Sequence, residues 1–140
     1  MCILSIFSKP NGDFIITQNR DETHLRPTSD EVLTREFENK LFTGPIDLVS
    51  KGTWMYYSED YVVCILNGEY KKHSHEPPYR RSRGLIVLDF LKFSTIQEFF
   101  DEIDLDGIEP FTMVILSRNS TEKKILVLDG LKKHLEYHSE

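Results

Sequence analysis

Met1-Cys2-Ile3-Leu4-Ser5-Ile6-Phe7, Asn11-Gly12, Phe14-Ile15-Ile16-Thr17-Gln18 and Asn19-Arg20-Asp21-Glu22 together decide how the chain is read. Two apolar runs flank an Asn-Gly pair, the strongest short-range signal for a hairpin with a two-residue type I′ loop. With Asn11 and Gly12 as the loop, Pro10 pairs with Asp13, Ile3 with Arg20 and Cys2 with Asp21. Paired residues share a face, with Cβ atoms about 4.5–5.5 Å apart. The turn therefore makes the cysteine a neighbour of the Asn-Arg-Asp-Glu cluster. Pro10 has no N–H to offer the ladder, which opens the way to a longer loop, and a bulge shifts every pair by one residue and flips the face. Apolar residues on both faces of the two runs fit strands covered on both sides.

Beyond Glu22 the chain turns polar, with Arg26-Pro27 and Thr28-Ser29-Asp30 as loop signals. Val32, Leu33 and Phe37 fit a strand or an irregular crossing, and Leu41-Phe42-Thr43 stops at Gly44-Pro45. A second hairpin joins 52–57 to 61–66. With Glu59-Asp60 as its loop, Asn67 lies opposite Gly52. A polar loop runs from Glu69 to Tyr79. Leu85, Ile86, Val87, Leu88, Phe90 and Leu91 then predict a buried helix from about Arg81. Ser94-Thr95-Ile96-Gln97 reads as a capping box, and Ile96, Phe99, Phe100 and Ile103 have the spacing of an amphipathic helix ending at Asp106-Gly107. Two strands follow, from Phe111 to Leu116 and from Lys124 to Leu128, around Arg118-Asn119-Ser120-Thr121. Residues 131–140 extend the sheet as an edge strand or fray. Hairpins with a helical pair give an α+β class, antiparallel sheets with helices on one side.

The sequence has 140 residues, 39% hydrophobic and 29% charged, and a net charge of −6. That size suits one domain spanning 1–140 with a sizeable core. The negative balance argues against a nucleic-acid partner. Lys71, Lys72, Arg80, Arg81 and Arg83 are the densest basic cluster. Two cysteines, Cys2 and Cys64, are too few for a disulfide framework, no signal peptide is visible, and no apolar run approaches the length of a membrane span. These features predict a soluble, cytoplasmic protein.

Cys2 carries the sharpest chemistry. Once Met1 is removed, α-amine and thiol belong to one residue, and an α-amine with a pKa of about 7.7–8.0 can act as base for its own side chain. Arg20 would favour the thiolate, and Asp21 can hold the amine. The plainer alternative is a small core residue at a strand start. Asn67 at a strand end can donate to an oxyanion, or simply shape a turn. Arg81 and Arg83 can bind a carboxylate, or be solvated charges. His73, His75 and Glu76 are too few for a zinc site, so no metal and no cofactor are expected. Cys64 reads as core.

Met1-Cys2-Ile3-Leu4, Asn19-Arg20-Asp21-Glu22 with Arg26-Pro27, Gly52-Thr53-Trp54, Asn67, and Arg81-Ser82-Arg83-Gly84 together resemble the NRDE family, the transport and Golgi organisation protein 2 family, over roughly residues 1–128. The family is similar to N-terminal-nucleophile hydrolases, which implies an αββα sandwich, here incomplete at the C-terminus if the chain is the N-terminal part of a longer domain. It implies cleavage of a non-peptide amide through a Cys2 acyl-enzyme, with Asp21 orienting the amine and Asn67 as oxyanion donor. Arg20 joins these as a catalytic candidate, and Asn19, Arg81 and Arg83 are the substrate-binding candidates. Gln18 stands where related hydrolases carry an arginine. The alternative is a non-catalytic carrier of a hydrophobic small molecule such as haem, or a role in secretory-pathway or Golgi organisation. The expected partners are a small-molecule substrate or ligand, and an incomplete sandwich favours self-association through a sheet edge.

Overall fold

Nine strands and two helices follow from these patterns in the computed structural model, which describes residues 2–68, 74–119, 123–129 and 132–138. β1 (Ile3–Ser8) and β2 (Phe14–Asn19) form a two-stranded antiparallel sheet. β3 (Leu33–Phe37), β4 (Lys40–Gly44), β5 (Met55–Tyr57), β6 (Tyr61–Asn67), β7 (Phe111–Ser117), β8 (Lys123–Asp129) and β9 (Lys132–His138) form a second sheet in sequence order. Between β6 and β7 lie α1 (Arg83–Asp89), a 3-10 turn at Phe90–Lys92 and α2 (Ile96–Glu102). The class is α+β, and two antiparallel sheets with a helical layer make a sandwich-like stack.

The opening hairpin forms, but one residue out of the expected register. Ser8 faces Phe14 and Ile3 faces Asn19. Pro10 cannot donate to close the narrow pair with Asp13, so the Lys9 N–H does so, at 2.7 Å from the Asp13 carbonyl. Pro10-Asn11-Gly12 is then a three-residue loop: a type I turn, with Gly12 at φ +86° completing it. Extended by one step, the ladder sets Cys2 opposite Arg20, not Asp21, and Ile3 opposite Asn19, not Arg20.

The shift decides which face is covered. Leu4, Ile6, Phe14 and Ile16 pack against Cys64, Val114 and Leu116 of the large sheet. Ile3, Phe7 and Ile15 point the other way and are 54%, 61% and 47% exposed, so the hairpin is covered on one face only among the described residues. On the far side of the large sheet, Val63, Ile65, Met113 and Ile115 pack with Ile86, Val87, Phe90, Leu91, Ile96 and Phe99 of the helical layer.

The second hairpin has the expected register, with Met55 opposite Cys64, although β5 is short and Gly52-Thr53-Trp54 precedes it. The ambiguous stretch after Val32 is a third hairpin. Glu38 and Asn39 both take positive φ (51° and 61°), as a type I′ turn requires. The cap of α2 falls one residue later than expected: Thr95 Oγ1 accepts from the Glu98 N–H at 3.1 Å, and the Glu98 carboxylate accepts from the Ser94 N–H at 2.8 Å. The helix stops at Glu102 with Ile103 as its C-cap, before Asp106-Gly107. Residues 132–138 form the edge strand β9. No helix among the described residues is long and apolar enough to cross a membrane.

Tyr56 is 1% exposed, and its hydroxyl has no hydrogen-bond partner among the described residues. Its ring packs edge-on to Phe42 at 5.7 Å. Tyr56→Phe keeps that ring and removes an unsatisfied polar atom, so it should leave stability unchanged or raise it by about 1 kcal/mol. A lower denaturant midpoint for the variant would reveal a partner for the hydroxyl.

Candidate functional site

Alternation along β2 puts Gln18 and Arg20 on the face turned toward the large sheet, and Asn19 on the other. Gln18 reaches across the gap, its amide nitrogen donating to the Ile65 carbonyl at 2.5 Å. Its Oε1 is buried and has no partner among the described residues. Arg20 lies over the indole of Trp54, 4.5 Å from the ring centroid, in a cation–π stack.

Asp47 holds the arginines. It is 3% exposed. Its Oδ1 accepts from the N–H groups of Val49 (2.9 Å) and Ser50 (2.8 Å). Its Oδ2 takes Arg20 at 2.5 Å and Arg26 at 2.7 Å. Burial pushes its pKa up, but the Ser50 N–H, Arg26, the Val49 N–H and Arg20 together outweigh burial and hold it below the usual carboxylate value. Arg20 also donates to the Arg26 carbonyl at 3.0 Å, and Arg26 pairs with Glu22 at 2.7 Å. The polar segment after Glu22 is thereby folded into a hydrogen-bonded knot beside the start of β1.

On the opposite wall, two backbones meet. The Thr53 N–H donates to the Gly84 carbonyl at 3.1 Å. A Cβ on Gly52 would fall 2.4 Å from the Gly84 carbonyl carbon, so only glycine allows this approach. The contact seats the start of α1 against the 52–54 segment. Arg83 donates to the Pro110 carbonyl at 3.1 Å and pairs with Glu109 at 3.0 Å. Burial lowers its pKa, and the Glu109 carboxylate opposes that.

A cleft of about 520 Å³, counting the solvent at its mouth, opens between these walls. Cys2, Arg20, Asp21, Asn67 and Arg83 all line it, as do Gln18, Glu22, Arg26, Asp47 and Trp54. Asn19 and Arg81 are not in the lining. Arg81 pairs instead with Asp89 at 2.5 Å. Sequence reasoning missed Asp47, Trp54 and Glu22 as members of this set. No spacing marks Asp47, because its role comes from segments that meet only in the fold. His75 pairs with Glu109 at 3.1 Å, while His73, Lys71 and Lys72 lie outside the described residues.

The two thiols differ. Cys64 is 1% exposed in the sheet, and burial pushes its pKa up to about 12. Cys2 is half-buried at the cleft. A stoichiometric maleimide at neutral pH should modify Cys2 at least about tenfold faster than Cys64, read by peptide mapping. Equal labelling would contradict this placement.

A family model described as Transport and Golgi organisation 2 matches residues 1–139. No curated protein and no solved structure matches the chain.

Proposed function

The chain belongs to the transport and Golgi organisation 2 family, and from that membership and its cleft we propose that it is an N-terminal-nucleophile hydrolase that cleaves a non-peptide amide through Cys2. The observation that carries this is the gathering of Cys2, Asp21 and Asn67 at one cleft from three separate strand ends. Hydrolysis requires removal of Met1. The Cys2 α-amine then takes the thiol proton as Sγ attacks the substrate carbonyl. Asn67 donates to the oxyanion. The amine returns the proton to the leaving nitrogen, the C–N bond breaks, and water releases the acid from the thioester. Asp21 orients the amine, and Arg20, locked by Asp47 and Trp54, supplies fixed positive charge beside it.

The proposal takes residues 1–140 as one domain working in the cytoplasm, where Cys2 stays reduced. Self-association would use an open strand edge such as that of β3. A carrier of a hydrophobic molecule such as haem is the runner-up, but no observation at the cleft favours it, since charged and polar side chains dominate the lining.

The test is intact mass after incubation with a small N-acyl anilide. The wild type should gain one acyl group and Cys2→Ala none. Folded, Met1-free wild type that gains none would sink the proposal.

A further inference from the structure

Resting on the hydrolase reading, we infer that Gln18 is a positioning residue: its amide sets the gap between the strand ends that bring Cys2 and Asn67 to the cleft. Gln18 faces Leu4 in the β1–β2 ladder, so Cys2 lies two residues beyond the anchored pair on β1. Its partner Ile65 lies two residues before Asn67 on β6. Two residues span about 7 Å of strand, so the bond fastens hairpin to large sheet within a short lever arm of both groups.

The acceptor is available because β5 ends early. Met55 opposite Cys64 is the last pair of that ladder on this side. The Ile65 N–H still donates to the Trp54 carbonyl at 2.9 Å, but the next residue back, Thr53, donates to the Gly84 carbonyl at 3.1 Å. The Ile65 carbonyl is taken by Gln18 Nε2 at 2.5 Å. Elsewhere the inner face of the hairpin meets the large sheet through apolar side chains, Leu4, Ile6, Phe14 and Ile16 on Cys64, Val114 and Leu116. Such packing is non-directional, whereas a hydrogen bond fixes distance and angle. Arg20 ties the end of β2 to Asp47 and Trp54, not to β6. A reacting group displaced by about 1 Å can lose on the order of a hundredfold in rate, so the anchor beside Cys2 matters to acylation.

The rate of acylation by the N-acyl anilide is read by intact mass at early times on Met1-free protein. Gln18→Met keeps the length of the side chain and removes the donor. Its saturating rate should fall at least about tenfold, while the half-saturating anilide concentration moves less than about threefold. Thr17→Val, on the exposed face of β2, should match the wild type. Gln18→Glu restores a donor only when protonated, so its rate relative to wild type should be low at about pH 9 and climb as pH falls to about 5.5. The α-amine, with a pKa of about 7.7–8.0, is free at about pH 9 in both proteins, so the deficit there reports position. An unchanged rate in Gln18→Met, or a pH-independent ratio in Gln18→Glu, overturns the inference and leaves the hydrolase reading standing.

Amide hydrogen exchange, read by mass spectrometry, decides the anchoring without any turnover. A two-stranded hairpin is marginal alone, so the β1–β2 amides report how firmly it is held. Gln18→Met should exchange them at least about threefold faster, with the β7 amides unchanged. Unchanged exchange in the hairpin, or an equal rise in β7, overturns the inference. Wild type that gains no acyl group, with the faster hairpin exchange present in Gln18→Met, sinks the hydrolase reading and leaves the anchor in place.

Discussion

Asp47→Asn should destabilise the protein by about 3 kcal/mol, lowering the melting temperature by roughly 10 °C. The substitution preserves shape and the acceptor for the Val49 and Ser50 N–H groups. It leaves two guanidiniums side by side without the carboxylate they share. Removing one partner of a buried ion pair costs about 3–5 kcal/mol because the remaining charge stays buried. The Arg26 side chain is 34% exposed, so water screens part of its loss and the lower end of that range applies. Arg20, at 16% exposure and stacked on Trp54, carries most of the effect. Asp47→Asn combined with Arg20→Met should recover part of the stability. A cost below about 1 kcal/mol for the single variant would show that Asp47 does not hold the arginines in place.

The same carboxylate gives an acid dependence of known sign. Its folded pKa lies below its unfolded value. Its contribution to stability is therefore fully present above the ordinary carboxylate pKa of about 3.9, and is lost as pH falls through the lower folded value. Denaturant midpoints should fall more steeply below about pH 4 in the wild type than in Asp47→Asn.

Gly52→Ala should cost about 3 kcal/mol or more, although it adds a single methyl group to a loop. The new Cβ meets the Gly84 carbonyl carbon at 2.4 Å, the Leu85 nitrogen at 2.7 Å and the Gly84 oxygen at 2.8 Å, all of them backbone atoms that cannot rotate away. Relief requires moving the start of α1, which carries Arg83 and the far wall of the cleft. Gly84→Ala meets Thr53 backbone atoms at 3.0 and 3.1 Å, so its cost should be smaller. Thermal melts of the two variants check the ranking, and a milder effect at Gly52 than at Gly84 would contradict the packing described.

Much of the frame was legible because local chemistry agrees with the fold. Asn11-Gly12 marked the first hairpin, and Glu59-Asp60 as the loop fixed the second down to the pairing of Met55 with Cys64. The register of the first hairpin was not legible from Asn-Gly alone, since Pro10 moved the closing pair to Lys9 and Asp13. The β3–β4 turn was hidden because Glu38 and Asn39 adopt positive φ without a glycine. The cleft was half legible. Cys2, Asp21, Asn67 and Arg83 stood out in the sequence and meet at one cleft. Arg81, only two residues from Arg83 at the start of α1, turns to Asp89, on the helical side. Asp47 left no sequence trace, because an acid buried by two arginines from a distant loop is a property of tertiary convergence.

The step from a shared cleft to amide hydrolysis turns on the free α-amine of Cys2. Intact mass after exposure to an N-acyl anilide, on matched Met1-free and Met1-retaining protein, tests it most directly. One acyl group on the Met1-free form, absent from the Met1-retaining form, is the expected result. Equal acylation of both, or none on the folded Met1-free protein, would contradict it.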